Sequence, residues 1–204
     1  GTLVRENPDA HRTHATSAAG ASWTEGLRSR AFWILAIVLF FASISQNGAI
    51  THLPALLTDR GLDPARAALA VSAMGLASFA GRMLTGWLLD RFPAPRVGVI
   101  LLALSAVGVF VMAGARTLES GIAAAALIGF GMGGEADVTP FLLSRYFGLR
   151  SFSTLYGLTW TSYAIAGAIG PVLMGHAVDG SASCSTMSVK AAVMPVAAAT
   201  LMLF

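Results

Sequence analysis

Residues 97–115 read VGVILLALSAVGVFVMAGA, a run with no charged side chain and a single hydroxyl, Ser105. A helix that is apolar all round cannot lie on the wet surface of a globule, so it is wrapped by protein or solvated by lipid. Moving outward from it, five more apolar stretches appear. The six are placed at about 32–57, 65–89, 97–115, 120–143, 153–178 and 187–204, each near or above the roughly 20 residues a helix needs to cross the hydrocarbon core. Turn and charge signals separate them: Asp59-Arg60-Gly61 with Asp63-Pro64, Asp90-Arg91-Phe92-Pro93, Arg116 with Glu119, Arg145 to Arg150, and Asp179-Gly180 before a Ser-rich run.

Composition agrees. The chain is 55% hydrophobic and 11% charged, with a mean hydropathy of +0.71. Soluble domains carry roughly 25% charged residues because their surface must be hydrated, and 204 residues this poor in charge cannot coat a globule. An all-α integral membrane protein of six transmembrane helices is the expected class. The net charge of +3 does not point to nucleic acid, because no basic segment interleaved with aromatics accompanies it. The one cysteine, Cys184, excludes an intrachain disulfide framework and offers no metal cluster, so neither metal nor cofactor is expected. The chain opens on Gly1, as a fragment or processed product would. Residues 1–30 are polar, without the apolar core of a secretory signal, and read as a flexible hydrophilic linker.

Counting Lys and Arg in alternate loops orients the chain. One side collects Arg5, Arg12, Arg28, Arg30, Arg91, Arg96, Arg145 and Arg150; the other has Arg60, Arg66, Arg116 and Lys190. The arm is therefore expected in the cytoplasm. Trp23, Trp33 and Trp87 are expected at the membrane interface, and the methionines as gap-fillers.

Ionisable groups deep in a span cost roughly 2.5–3.5 kcal/mol on insertion scales and persist where they pair or line a cavity. Arg82 in the second span, and Glu135 and Asp137 in the fourth, are such groups. Arg82 precedes Asp90 by eight residues and Asp137 precedes Arg145 by eight, so all three lie at similar depth and can meet as an ion pair or cluster. Fastening two helices and serving a solute are both open readings. Neutral polar residues concentrate in the first span (Ser43, Gln46, Asn47, Thr51) and the fifth (Thr159, Thr161, Tyr163), whereas the third holds little beyond Ser105 and the sixth only Lys190 near one end. Spans one, two, four and five thus read as cavity-lining, and three and six as lipid-facing. Glycines at 129, 131, 133 and 134, and Gly167, Gly170 and Gly175 with Pro171, suit either a moving gate or tight static packing.

The run Gly86-Trp87-Leu88-Leu89-Asp90-Arg91 resembles the Gly-x-x-x-Asp-Arg signature that major facilitator transporters carry between their second and third helices and again between the eighth and ninth. There the Asp and Arg latch cytoplasmic helix ends. Glu135-Ala136-Asp137, the stretch Ser144 to Arg150 and Tyr156-Gly157 resemble bacterial members of the monocarboxylate and oxalate/formate branch. Gly81-Arg82 is similar to the helix-eight arginine that binds the substrate carboxylate in that branch. The resemblance covers about residues 30–178 and implies helices seven to twelve, the C-terminal half of the fold, with helices nine and twelve peripheral. The departures are Pro93-Ala94-Pro95 after the signature, Ser78 where monocarboxylate transporters have an acid, no lysine in span five, and no basic tail after the last span.

On this reading Arg82 holds a carboxylate, Gln46, Asn47 and Tyr163 add hydrogen bonds, and Glu135 or Asp137 carries a coupled proton. Gly86, Asp90, Arg91 and Arg150 form the latch, with Gly170 and Pro171 as a hinge. The expected partners are a small organic anion, the lipid bilayer and an N-terminal six-helix half, and the expected location is a bacterial inner membrane. Two rivals come from other classes. An intramembrane protease needs an activated serine, and no Gly-x-Ser-Gly occurs, while His52 and His176 lie near span ends. A six-helix interaction unit without transport is the other. The glycine run at 129–134 lacks the Gly-Lys-Ser/Thr ending of a nucleotide loop.

Overall fold

The computed structural model describes residues 20–179. Among them are one short helix, α1 (Trp23–Arg28), and five long ones: α2 (Arg30–Asp59), α3 (Pro64–Leu89), α4 (Ala94–Gly114), α5 (Leu118–Phe147) and α6 (Phe152–Asp179). Local chemistry sets their ends. Ser22 and Glu25 form a reciprocal capping box at α1, and Thr117 and Ser120 do the same at α5, satisfying amides that have no partner within the helix. Pro64 opens α3, where its missing N–H costs nothing. After α5, Gly148 takes φ 72°, ψ −169°, a region that residues with a Cβ avoid. At the end of α4, the Arg60 guanidinium donates to the carbonyls of Ala113 (2.9 Å) and Ala115, placing a cation at the negative end of that helix.

The five long helices correspond to the first five predicted spans, extended by a few residues into more polar sequence. Four of them, α2 to α5, are long and apolar enough to cross a membrane. The sixth predicted span, 187–204, lies outside the described residues, as do Cys184 and Lys190. One expectation is corrected. The linker reading of 1–30 does not hold as a flexible arm for residues 20–30, because α1 is folded and packed there. The Ala21 amide donates to the Phe147 carbonyl at 2.9 Å, Ser151 Oγ donates to the Ala21 carbonyl at 3.0 Å, and Gly26 is buried against Leu155.

α5 is the central helix, packed on α3 and α4, while α2 packs on α6. Glycine makes these contacts close. A Cβ at Gly129 or Gly133 would collide with the backbone carbonyl of Met74 or Ser78 on α3, and one at Gly81 with that of Phe130 on α5. On the other seam, a Cβ at Gly170 would lie 2.5 Å from the Ile44 carbonyl. These glycines serve tight packing in this conformation.

Two large apolar clusters and a small third one, of Val38, Ala42 and Leu102, fill the bundle. Leu53, Leu57, Val109, Met112 and Ile128 build one, and Phe32, Leu35, Leu101, Leu142 and Phe147 the other. On α2, α4 and α5 alike the residues between the two clusters include the buried polar ones: Ser43, Ser45 and Gln46, Ser105, and Glu135. The bundle therefore has a polar layer at mid-height. Coverage differs from the sequence expectation for the third span. α4 is as well covered as α2 and α5, with 56% of its apolar window buried, whereas α3 has 17%. Beyond Arg96 in its first turn, the residues of α4 left open, Ile100, Val107, Phe110 and Gly114, are apolar.

Candidate functional site

Glu135 and Asp137 stand two residues apart on α5, and a helix turns about 100° per residue, so their side chains leave opposite sides. The expected three-member cluster is accordingly split. On one side, Arg82 Nη2 of α3 meets Asp137 Oδ1 at 3.2 Å, with the side chains 56% and 33% exposed. It is the only ion pair among the described residues, and a single hydrogen bond holds it.

On the other side Glu135 is buried. Gln46 Nε2 of α2 donates to Glu135 Oε2 at 2.8 Å and to Ser105 Oγ of α4 at 3.3 Å. One amide thus ties three helices at the polar layer. Glu135 Oε1 and Gln46 Oε1 have no hydrogen-bond partner. Burying polar atoms this way costs on the order of 1–3 kcal/mol each, which marks the place as more than packing. Sequence reasoning did not anticipate Ser105 as the third member; its signal was its isolation in an apolar span.

Beside Glu135 lies a cavity of about 140 Å³ walled by Leu39 of α2, by Met132, Ala136 and Thr139 of α5, and by Thr159, Trp160 and Tyr163 of α6. Its surface is almost all carbon. The Thr139 and Thr159 hydroxyls donate to the carbonyls of Glu135 and Tyr156 on their own helices. Phe152, Tyr156, Trp160 and Tyr163 form a ladder of rings along α6, ending at this cavity, with neighbouring centroids 5.4, 6.1 and 5.2 Å apart.

The remaining predicted residues fall as follows. Tyr163 shares the cavity wall with Glu135. Asn47 turns to its own helix, its Nδ2 donating to the Ser43 carbonyl and Oγ at 3.0 and 3.1 Å, while Ser43 Oγ donates to the Tyr163 carbonyl at 2.7 Å. Gly86 faces open space. Asp90 caps α3 without an ion pair among the described residues, and Arg91 stacks on Trp87, 4.2 Å from the ring centroid. Arg150 is exposed and contributes to holding the Glu25 carboxyl below its ordinary value, after the Ser22 backbone and hydroxyl bonds. Gly170 and Pro171 abut α2, where His52 Nε2 lies 3.2 Å from the Pro171 carbonyl. Among the described residues no serine hydroxyl bonds a histidine, and no group of His, Cys, Asp and Glu is arranged to hold a metal.

Long apolar helices around a buried polar layer define an integral membrane protein of the helical-bundle kind. The sequence model of the Major Facilitator Superfamily matches residues 2–171, and the chain belongs to that superfamily. Among curated proteins it is 28% identical to the uncharacterized MFS-type transporter YhjX of Escherichia coli (strain K12), over 80% of this chain and 42% of that protein. It is also 28% identical to monocarboxylate transporter 13 of Bos taurus, over 78% of this chain and 38% of that protein. The fold is similar to the fucose:proton symporter FucP of E. coli, with a TM-score of 0.73 at 20% identity, over 90% of this chain and 45% of that one. The chain thus spans less than half the length of these relatives.

Proposed function

We propose that the chain is the C-terminal six-helix half of a secondary transporter that moves a small organic anion, a carboxylate, by proton-coupled alternating access. The observation that carries this reading is the Arg82–Asp137 pair. A guanidinium within the span, more than half exposed and held by one 3.2 Å contact, is a carboxylate receptor whose internal occupant is itself a carboxylate. A substrate able to make a bidentate, charge-assisted bond competes with Asp137 for it.

Charge bookkeeping then calls for a proton. Arg82, Asp137 and Glu135 sum to −1 when all are ionised, and a net negative site in a low-dielectric surround repels an anion. Protonating Asp137 frees Arg82 and lowers that barrier; Glu135, buried with an unpartnered oxygen, is the second proton site. Gln46 acts through Glu135, because its amide is already committed there. Asn47 and Tyr163 supply neutral contacts from the α2–α6 side.

The exposed faces of α3 (Leu76, Phe79, Met83) and α6 (Ile165, Ile169, Val172) suit the second half and the surrounding lipid. The small residues Ser153, Gly157 and Thr161 on α6 are also open to approach and suit close helix contact. Gly86, Asp90, Arg91 and Arg150 would work the latch at the arm side, with Gly170 and Pro171 as the flexing point of α6. The membrane would be a bacterial inner membrane with the arm in the cytoplasm.

The test is proton-gradient-driven uptake of small carboxylates into proteoliposomes, comparing this chain with the two-half transporter. Uptake by the two-half protein alone is expected, and loss of one charge-assisted bond in Arg82→Ala should cut it roughly 10- to 100-fold. Undiminished uptake in Arg82→Ala removes the carboxylate role. Gradient dependence that survives both Glu135→Gln and Asp137→Asn removes proton coupling through them.

A further inference from the structure

The cavity beside Glu135 has a floor. Each helix that walls it carries a buried leucine one turn nearer the arm: Leu35 beneath Leu39 on α2, Leu143 beneath Thr139 on α5, and Leu155 beneath Thr159 on α6. Four residues of helix rise about 6 Å, so the three leucines share one level. All are at most 5% exposed and belong to one apolar cluster. They form a plate across the arm-side end of the cavity.

α1 lies against this plate. Ala21 and Leu27 pack on the same cluster, and a Cβ at Gly26 would stand 2.8 Å from a methyl carbon of Leu155, so glycine is what lets α1 press on the leucine. Three bonds seat the segment. The Ala21 amide donates to the Phe147 carbonyl at 2.9 Å, Ser151 Oγ to the Ala21 carbonyl at 3.0 Å, and Trp33 Nε1 to the Leu27 carbonyl at 2.8 Å. They reach α5, the α5–α6 turn and α2. The seat is shallow all the same. Six residues are too few to stay helical in water unsupported, Gly26 is the one buried residue of α1, and Trp23, Thr24, Glu25 and Arg28 face out. Elements held by few buried contacts are the first to open locally.

We propose that residues 20–29 are a detachable clasp that seals the arm-side end of the cavity. Docked, α1 holds Leu155 in the plate. Released, it leaves a space into which Leu155 swings, and water and small solutes pass between the cavity and the arm side. The inference is independent of which solute is carried, because it concerns the route to the cavity and not the chemistry of its occupant.

The experiment uses the two-half transporter in proteoliposomes, with its native cysteines replaced and Thr159→Cys introduced at the cavity wall. A membrane-impermeant methanethiosulfonate is added on one face at a time, and the rate of modification is read. Gly26→Leu, which forces α1 off Leu155, should raise the arm-side rate roughly tenfold or more, and Leu155→Ala, which thins the plate, should raise it as well. Combining the two returns the lost volume to the same place, so the double variant should come back to within about threefold of the parent. Damage to the fold would not be undone in this way. Ser151→Ala, a milder release, should raise the rate roughly two- to tenfold, the worth of one hydrogen bond. The rate from the opposite face should be unchanged throughout. The clasp is overturned if the parent is already modified from the arm side as fast as the released variants, or if the double variant is no slower than the single ones. It is overturned too if the arm-side rise comes with an equal fall on the other face, since α1 would then tilt the balance between the two halves and seal nothing.

Discussion

The two faces of α5 solve the same problem in opposite ways. On the Glu135 side an acid is buried, bridged by Gln46 to Ser105, and walled by carbon. On the Asp137 side an acid of nearly the same depth is open and paired by one bond to a cation. A buried acid whose partner is an amide ties the fold together, whereas an exposed one paired with arginine contributes little to stability and is free to exchange partners. The comparison teaches that depth alone does not assign a role to a membrane carboxylate; the width of its opening and the charge of its partner do.

Four substitutions break or sharpen this contrast. The largest effect is expected from Gly133→Val, because its Cβ would meet the main-chain carbonyl of Ser78, and main chain cannot rotate away. The cost should sit at the upper end of the roughly 1–3 kcal/mol range for overpacking. Thermal unfolding in detergent would show it, and an unchanged melting temperature would mean that the α3–α5 seam is looser than described.

Next, Gln46→Leu leaves Glu135 buried without its donor, at a cost of about 1–3 kcal/mol, which Glu135→Leu in the same background should partly restore. Third, Asp137→Asn removes an open pair held by one bond and should cost less stability than Gln46→Leu, while altering the pH dependence of uptake. Equal stability losses for Gln46→Leu and Asp137→Asn would erase the distinction between the two faces.

The smallest effect lies at α1. Glu25 is held below its ordinary 4.5, first by the Ser22 backbone bond. A lowered carboxyl favours the folded form above that value and loses its contribution as pH falls through the folded-state pKa. Protection of the α1 amides from hydrogen exchange, taken relative to the intrinsic rate at each pH, should therefore fall in acid, and Glu25→Gln should show the lower protection already at neutral pH.

Much of this was legible beforehand. Hydropathy located five helices because membrane length and the absence of charge are coarse, additive signals; it clipped α5 at 143 because Arg145 lowers a window average although the backbone hydrogen bonds run on to Phe147. Equal spacing from the arm-side charges brought Arg82 and Asp137 together correctly. The same helical arithmetic, 200° between positions 135 and 137, would have separated Glu135 from that pair. The α1 helix was hidden by its polarity and brevity, yet Ser22 and Glu25 stand at capping-box spacing. What no periodicity reveals is how helices rotate against one another, and the Gln46–Glu135–Ser105 bridge depends on that.

The ring ladder on α6 has an optical consequence. Of the four tryptophans, Trp23, Trp33 and Trp87 lie away from the cavity, and only Trp160 stands at its wall, edge-on to Tyr163. Replacing the other three by phenylalanine would leave one indole whose emission follows the wetting of that wall. The protein thus carries a built-in fluorophore for occupancy of the cavity, readable without any attached label.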